Sequence, residues 1–269
     1  MPDAKTYGPV ALILGGSEGI GRQFAIELAG AGLDLVLVAR GSAALELTAA
    51  ELRAAHGVKV RTLTRDLTAP GLEAFIDGVL AADDIGLTVY NAGATHGVGN
   101  FLDAPLSKAT HLVQLNCTGP VMFAHKMLGA RRARRRPAGL IIVSSMSGLC
   151  GSGLVATYAA AKAFEIALCE GLHWELAREG IDVLCAVAGL TDTPAMRRSG
   201  LSFTAAAAAG YVAMDAAEVA RGALAQLGKA AVWYAVGQAA ADAMRALPRA
   251  QLTELMSAGS ATLYPAPTR

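Results

Sequence analysis

Seven short apolar runs recur along this 269-residue chain, and helix-patterned stretches lie between them. They are VALIL (10–14), LVLVA (35–39), VKVRTL (58–63), LTVY (87–90), LIIVS (140–144), VLCAVA (183–188) and VWYAV (232–236). Several are apolar at consecutive positions, which suits strands covered on both faces by helices. The intervening segments RQFAIELAGAG and AALELTAAELRAAHG are amphipathic, and Gly57 is placed to stop the second. Alternation repeated this often predicts right-handed βαβ units. The expected fold is a doubly wound α/β Rossmann type, about seven parallel strands with helices on both faces, in one domain over residues 1–269.

Composition narrows the function classes. Hydrophobic residues make up 54% and charged residues 17%, as in a well-buried globular protein, and the net charge is +1. That balance provides no field for nucleic acid or an anionic membrane. No stretch approaches the roughly eighteen apolar residues of a membrane-spanning helix. The opening MPDAKTYGPVALIL enters the first strand without a basic, then apolar, leader. Cys117, Cys150, Cys169 and Cys185 form no CxxC pair, and the five histidines lack ligand spacing, so no metal site is expected. A cytoplasmic protein is the resulting expectation. The run ARRARRRP, with arginines at 131, 132, 134, 135 and 136, reads as the solvated last turn of a helix, where cations oppose the helix dipole.

The first strand leads into GGSEGIGRQFAIEL. Gly15, Gly19 and Gly21, with Ser17 and Ile20 between them, form a tight strand-to-helix turn that lets backbone approach a pyrophosphate. The Gly-Lys-Ser/Thr ending of a nucleoside triphosphate loop is missing, which favours a dinucleotide. The second strand ends in ARGS, so Arg40 stands where a carboxylate would select NAD(H). A guanidinium pairs with a 2′-phosphate, and NADP(H) is therefore expected over NAD(H). Glu18 adds negative charge inside the same loop.

Four motifs in order then carry a resemblance: the G-x-x-x-G-x-G turn, YNAG (90–93), VSSMSG (143–148) and YAAAK (158–162). Together they resemble the short-chain dehydrogenase/reductase family from residue 8 to about 237. Tyr158 and Lys162 lie one helical turn apart on one face. A free phenol titrates near pH 10, and an ammonium beside it favours the phenolate. The resemblance implies Tyr158 as acid/base, Lys162 as its modulator and ribose grip, Ser145 as the donor to the substrate oxygen, and Asn116 in QLNCTG as a proton-relay member. It also implies that Asp66 and Leu67 flank adenine, that Asn91, Ala92 and Gly93 line the adenosine ribose, and that Thr193 meets the nicotinamide carboxamide.

Residues 191–214 correspond to a substrate lid, in which Met196, Leu201 and Phe203 suggest an apolar pocket, and residues 238–269 read as a helical tail. His96 falls where it could touch substrate. Leu14, Tyr90 and Ala188 depart from the family's usual residues and are expected to affect strand or turn support rather than chemistry. The implied activity is hydride transfer between NADP(H) and a carbonyl or secondary alcohol of an apolar small molecule, by a homodimer or homotetramer. Two rival readings are a catalytically silent dinucleotide sensor or scaffold of the same fold and a lipid-surface reductase. The complete Asn116–Ser145–Tyr158–Lys162 set argues against the first.

Overall fold

The computed structural model describes residues 4–93 and 98–264. Every one of the seven apolar runs is a strand: β1 (Val10–Leu14), β2 (Asp34–Ala39), β3 (Val60–Thr64), β4 (Ile85–Tyr90), β5 (Ala138–Ser145), β6 (Ile181–Ala188) and β7 (Val232–Tyr234). Polar residues such as Asp34 and Asp182 extend the strands beyond their apolar runs, because the ladder pairs backbone with backbone: Asp34 lies opposite Val10, and Asp182 opposite Gly139. All pairings are parallel, in the order β3-β2-β1-β4-β5-β6-β7.

The helices are α1 (Ala4–Tyr7), α2 (Gly19–Gly30), α3 (Ser42–His56), α4 (Leu72–Ala82), α5 (Leu106–Val113), α6 (Gly119–Ala133), α7 (Ala156–Leu176), α8 (Pro194–Arg198), α9 (Phe203–Ala208), α10 (Ala216–Gln226), α11 (Gln238–Arg245) and α12 (Arg249–Leu263). Gly57 ends α3 in the left-handed conformation, at φ 70°.

The period of two along each strand divides the core. Ala11 and Ile13 of β1 pack with α2, α3 and α10 on one face, while Leu12 and Leu14 pack with α4, α6 and α7 on the other. Strand order reverses at β1, which has β2 on one side and β4 on the other. A crevice therefore opens at the carboxyl ends of β1 and β4, the switch point where such sheets take ligands. Among the described residues, no helix is long and apolar enough to cross a membrane.

The tail folds back on the core. Ser152 Oγ donates to Met256 O at 3.1 Å, Gly153 N to Ser257 Oγ at 2.7 Å, and Ser202 N to Leu263 O at 2.9 Å. Helix α12 thus packs beside the loop that follows β5 and the segment entering α9.

The arginine run is the solvated turn expected of it at Arg132, Arg134, Arg135 and Arg136, and Arg131 departs from it. Arg131 is only 3% exposed: it donates to Asp84 Oδ1 at 2.7 Å and to the Pro137 carbonyl at 3.0 Å. Arg134 and Arg136 converge on the same Asp84, and Arg132 pairs with Glu179 at 2.6 Å. The cause is the position of Arg131 on the sheet-facing side of α6, so the run ties that helix to the start of β4 and β5. Removing Arg131 leaves the Pro137 carbonyl unpaired and takes from Asp84 its buried partner, so Arg131→Ala should cost about 1–3 kcal/mol in urea unfolding. Lys126→Ala, whose partners Glu73 and Asp77 are exposed, should cost markedly less, as exposed ion pairs do. Equal losses would contradict this account of the cluster.

Candidate active site

The glycine turn is packed backbone against backbone. Gly15 sits at φ +84°, and a Cβ there would lie 3.0 Å from the Ala92 nitrogen. A Cβ on Gly21 would overlap the Gly15 carbonyl. Asn91 ties the two strands together, its amide side chain donating to Gly15 O at 3.2 Å and its backbone N–H to Leu14 O at 3.0 Å. Glu18, at the N-cap of α2, makes no side-chain cap bond. The first-turn N–H groups of this 12-residue helix are therefore left uncapped by that residue, pointing at the crevice as an anion requires. Glu18 instead pairs with Arg198 of α8, so its charge is offset by a guanidinium. Thr193 faces the same turn, since a Cβ on Gly19 would come 3.1 Å from its side chain.

The adenosine-side candidates lie at the ends of β2 and β3. Arg40 is exposed just past β2. Asp66 accepts from Thr68 N at 2.9 Å and Thr68 Oγ1 at 2.7 Å, and the backbone bond first of all holds its carboxyl below the usual value. Leu67 is buried.

At the other end of the crevice, α7 presents Tyr158 and Lys162, with the Lys162 Nζ 5.7 Å from the centre of the Tyr158 ring. Ser144 and Gly148 seat this helix. Ser144 Oγ donates to Lys162 O at 2.9 Å, and a Cβ on Gly148 would come 2.7 Å from the Lys162 carbonyl carbon. Ser145 is half-buried, and its Oγ accepts from Ser147 N at 3.2 Å. Asn116 is buried in a π-helical turn, Gln114–Thr118, that joins α5 to α6. Such turns are frequent at functional sites. Gly93 brings the parts together: a Cβ there would be 3.1 Å from Asn116 Oδ1 and 3.4 Å from Lys162 Nζ. Asn116, Tyr158, Lys162 and Gly93 are thus gathered, with Ser145 next to the serine that pins the lysine's backbone. His96 lies outside the described residues.

Two residues of the site were not among the sequence candidates. Tyr90 is fully buried and donates to Leu115 O at 2.6 Å, bracing the π-helical turn beside Asn116. Glu165, 0% exposed, accepts from Lys162 Nζ at 3.0 and 2.9 Å through its two oxygens. Lys162 Nζ also donates to Val143 O at 3.0 Å. Burial pulls the Lys162 ammonium down, but Glu165 and Tyr158 more than compensate and raise it. Burial pushes the Glu165 carboxyl up from 4.5 to about 7, against the pull of Lys162.

A family model for the short chain dehydrogenases matches residues 9–201. The chain belongs to the short-chain dehydrogenase family. It is an NAD(P)-dependent dehydrogenase/reductase, a hydride-transferring oxidoreductase. It is 33% identical over 224 residues to a 7β-hydroxysteroid dehydrogenase of Clostridium sardiniense, covering 83% of this chain and 84% of that one. It is also 33% identical over 180 residues to a very-long-chain 3-oxoacyl-CoA reductase of Laccaria bicolor, covering 65% of this chain; the match spans about half that relative's length, 53%. A solved 7β-hydroxysteroid dehydrogenase superposes with TM-score 0.86 at 27% identity, over 95% of this chain and 99% of that one. A short-chain dehydrogenase from Sphingobium yanoikuyae in complex with NADPH gives TM-score 0.76 at 30% identity, over 91% and 98%. A 3-oxoacyl-[acyl-carrier protein] reductase from Brucella melitensis in complex with NAD gives TM-score 0.74 at 30% identity, over 84% and 95%.

The buried carboxyl has a consequence for stability. Because its folded value, about 7, lies above its value of 4.5 outside the fold, the folded chain holds a proton that the unfolded chain has already released between those values. This group's contribution is present at low pH and lost as pH rises through its folded value. Urea unfolding at about pH 5.5 and about pH 8 should show the chain gaining on its Glu165→Gln variant at the acid pH. A difference that does not change with pH would contradict the assignment.

Proposed function

We propose that this chain is an NADP(H)-dependent oxidoreductase acting on a carbonyl or secondary alcohol of an apolar, bulky small molecule, with Tyr158 as acid/base. The observation that carries the reading is the buried ammonium of Lys162 beside the Tyr158 ring, at the carboxyl ends of the central strands. When bound, the dinucleotide supplies or accepts the hydride.

The residues fit such a group. Gly15, Ser17, Gly19, Ile20 and Gly21, with the open end of α2, would hold its pyrophosphate. Asp66 and Leu67 would flank the adenine, and Asn91, Ala92 and Gly93 would line the adenosine ribose. Thr193 would meet the carboxamide, and Lys162 the nicotinamide ribose. Arg40, exposed where a 2′-phosphate would lie, supports NADP(H) over NAD(H). The pairing of Glu18 with Arg198 offsets the negative charge in the loop that argued the other way.

In reduction, Tyr158 hands its phenol proton to the substrate oxygen, and in oxidation it takes that proton back. Ser145 donates a hydrogen bond to the same oxygen and steadies the charge that develops there. Lys162 favours the phenolate, and Asn116 continues the proton path. Residues 191–214 form the lid, and α12 stands behind it through the Ser202–Leu263 contact. Buried Leu201 and half-buried Met196 and Phe203 support an apolar substrate, as does the similarity to steroid dehydrogenases.

The test begins with nucleotide binding. A ligand at one hundred times its dissociation constant stabilises by about 2.7 kcal/mol, so NADPH should raise the melting temperature well above the rise with NADH. Arg40→Ala should abolish that preference and keep the smaller NADH response. Turnover should then follow with keto-steroids in preference to small polar ketones, read as loss of NADPH absorbance. No response to either nucleotide would remove the reading.

A further inference from the structure

An ammonium has three N–H donors. Those of Lys162 meet Val143 O and the two oxygens of Glu165, at 3.0, 3.0 and 2.9 Å. The lysine that the proposed mechanism uses as a positive charge is therefore bound face to face with a negative one. Both side chains are almost wholly buried, at 7% and 1% exposure. Buried ion pairs repay their desolvation poorly, so a pair placed here has little to offer stability. Its effect falls instead on its neighbours.

The titratable and charged groups around the Lys162–Glu165 pair, Tyr158 and Cys185 against the lysine and the rest against the glutamate, come from several packed elements. On α7 they are Lys162, Tyr158 and Cys169; Tyr90 comes from β4, Cys117 from the π-helical turn, and Cys185 from β6. Among these Lys162 is the cation. Once Glu165 is ionised, above about pH 7, the pair presents Tyr158 with a dipole in place of a net positive charge, and a dipole favours a phenolate less.

We propose that Glu165 is a positioning residue that offsets the charge of Lys162 and so sets the pH at which Tyr158 gives up its proton. Keeping Tyr158 as a phenol over a wider range suits the carbonyl-reduction direction, which consumes a proton from that hydroxyl. A nucleotide ribose that takes a hydrogen bond from Lys162 must also displace one of its present acceptors, and a carboxylate oxygen of Glu165 is the one with a second oxygen to spare.

The inference rests on the reading of Tyr158 as acid/base, and the test separates the two. Phenolate absorbance is followed by ultraviolet difference titration of the full chain, with the Tyr158→Phe form of each protein subtracted. In Glu165→Gln the Tyr158 midpoint should fall by about one pH unit, the low end of what one nearby charge does. Glu165→Asp, which keeps the carboxylate, should return it toward the parent value. Should Gln impair folding, Glu165→Met removes the same charge and fills the same space. A midpoint that stays or rises in the neutral variants overturns the inference and leaves the acid/base reading standing. Undiminished turnover in Tyr158→Phe would instead overturn that reading.

Discussion

A buried ammonium sets the terms for the reacting end of this molecule. Lys162 is nearly without solvent, so each of its protons needs an acceptor, and β5 and α7 are arranged to supply them: the Val143 carbonyl from the strand and Glu165 from one turn along the helix. The helix is then fixed against the strand end by the Ser144 hydroxyl on the Lys162 carbonyl and by the bare backbone of Gly148. Gly93, three residues past β4, leaves bare the space into which the lysine and Asn116 both reach. Displacing any of these would leave a charge in an apolar interior, which costs several kcal/mol.

The glycine turn obeys a different constraint, close approach of backbone. Gly15, Gly21 and Gly19 have no room for a side chain because Ala92, the Gly15 carbonyl and Thr193 occupy that space. The same three contacts bind the turn to β4, to its own helix and to the segment before α8. The two ends share one crevice because strand order reverses at β1. A long α/β sheet thereby places residues as far apart in sequence as Gly19 and Thr193 within contact.

The strands were legible because a parallel sheet covered on both faces leaves a run of apolar residues, and each run was found. Their ends were less legible, since Asp34 and Asp182 join through backbone pairing that side chains do not advertise. Local chemistry also read correctly at Gly57, where a left-handed cap stops a helix. Arg131 did not: which of five guanidinium groups turns inward depends on how α6 meets the sheet, a tertiary matter. Glu165 had a signal of a kind. A glutamate three residues after a lysine shares its helix face, but the same spacing on a solvent face is an ordinary surface pair, and burial makes the difference. Tyr90 was legible as a residue of strand or turn support, but the carbonyl its hydroxyl meets comes from a π-helical turn distant in sequence.

The central claim is that the phenol of Tyr158 moves the proton while the rest of the site binds and orients. Its most direct measurement is steady-state ketone reduction by Tyr158→Phe, alongside the NADPH-dependent rise in melting temperature of the same variant. Turnover should fall by about 10²–10⁴-fold, the usual worth of a placed acid, with the nucleotide response kept. Turnover equal to that of the parent chain would contradict that role for Tyr158.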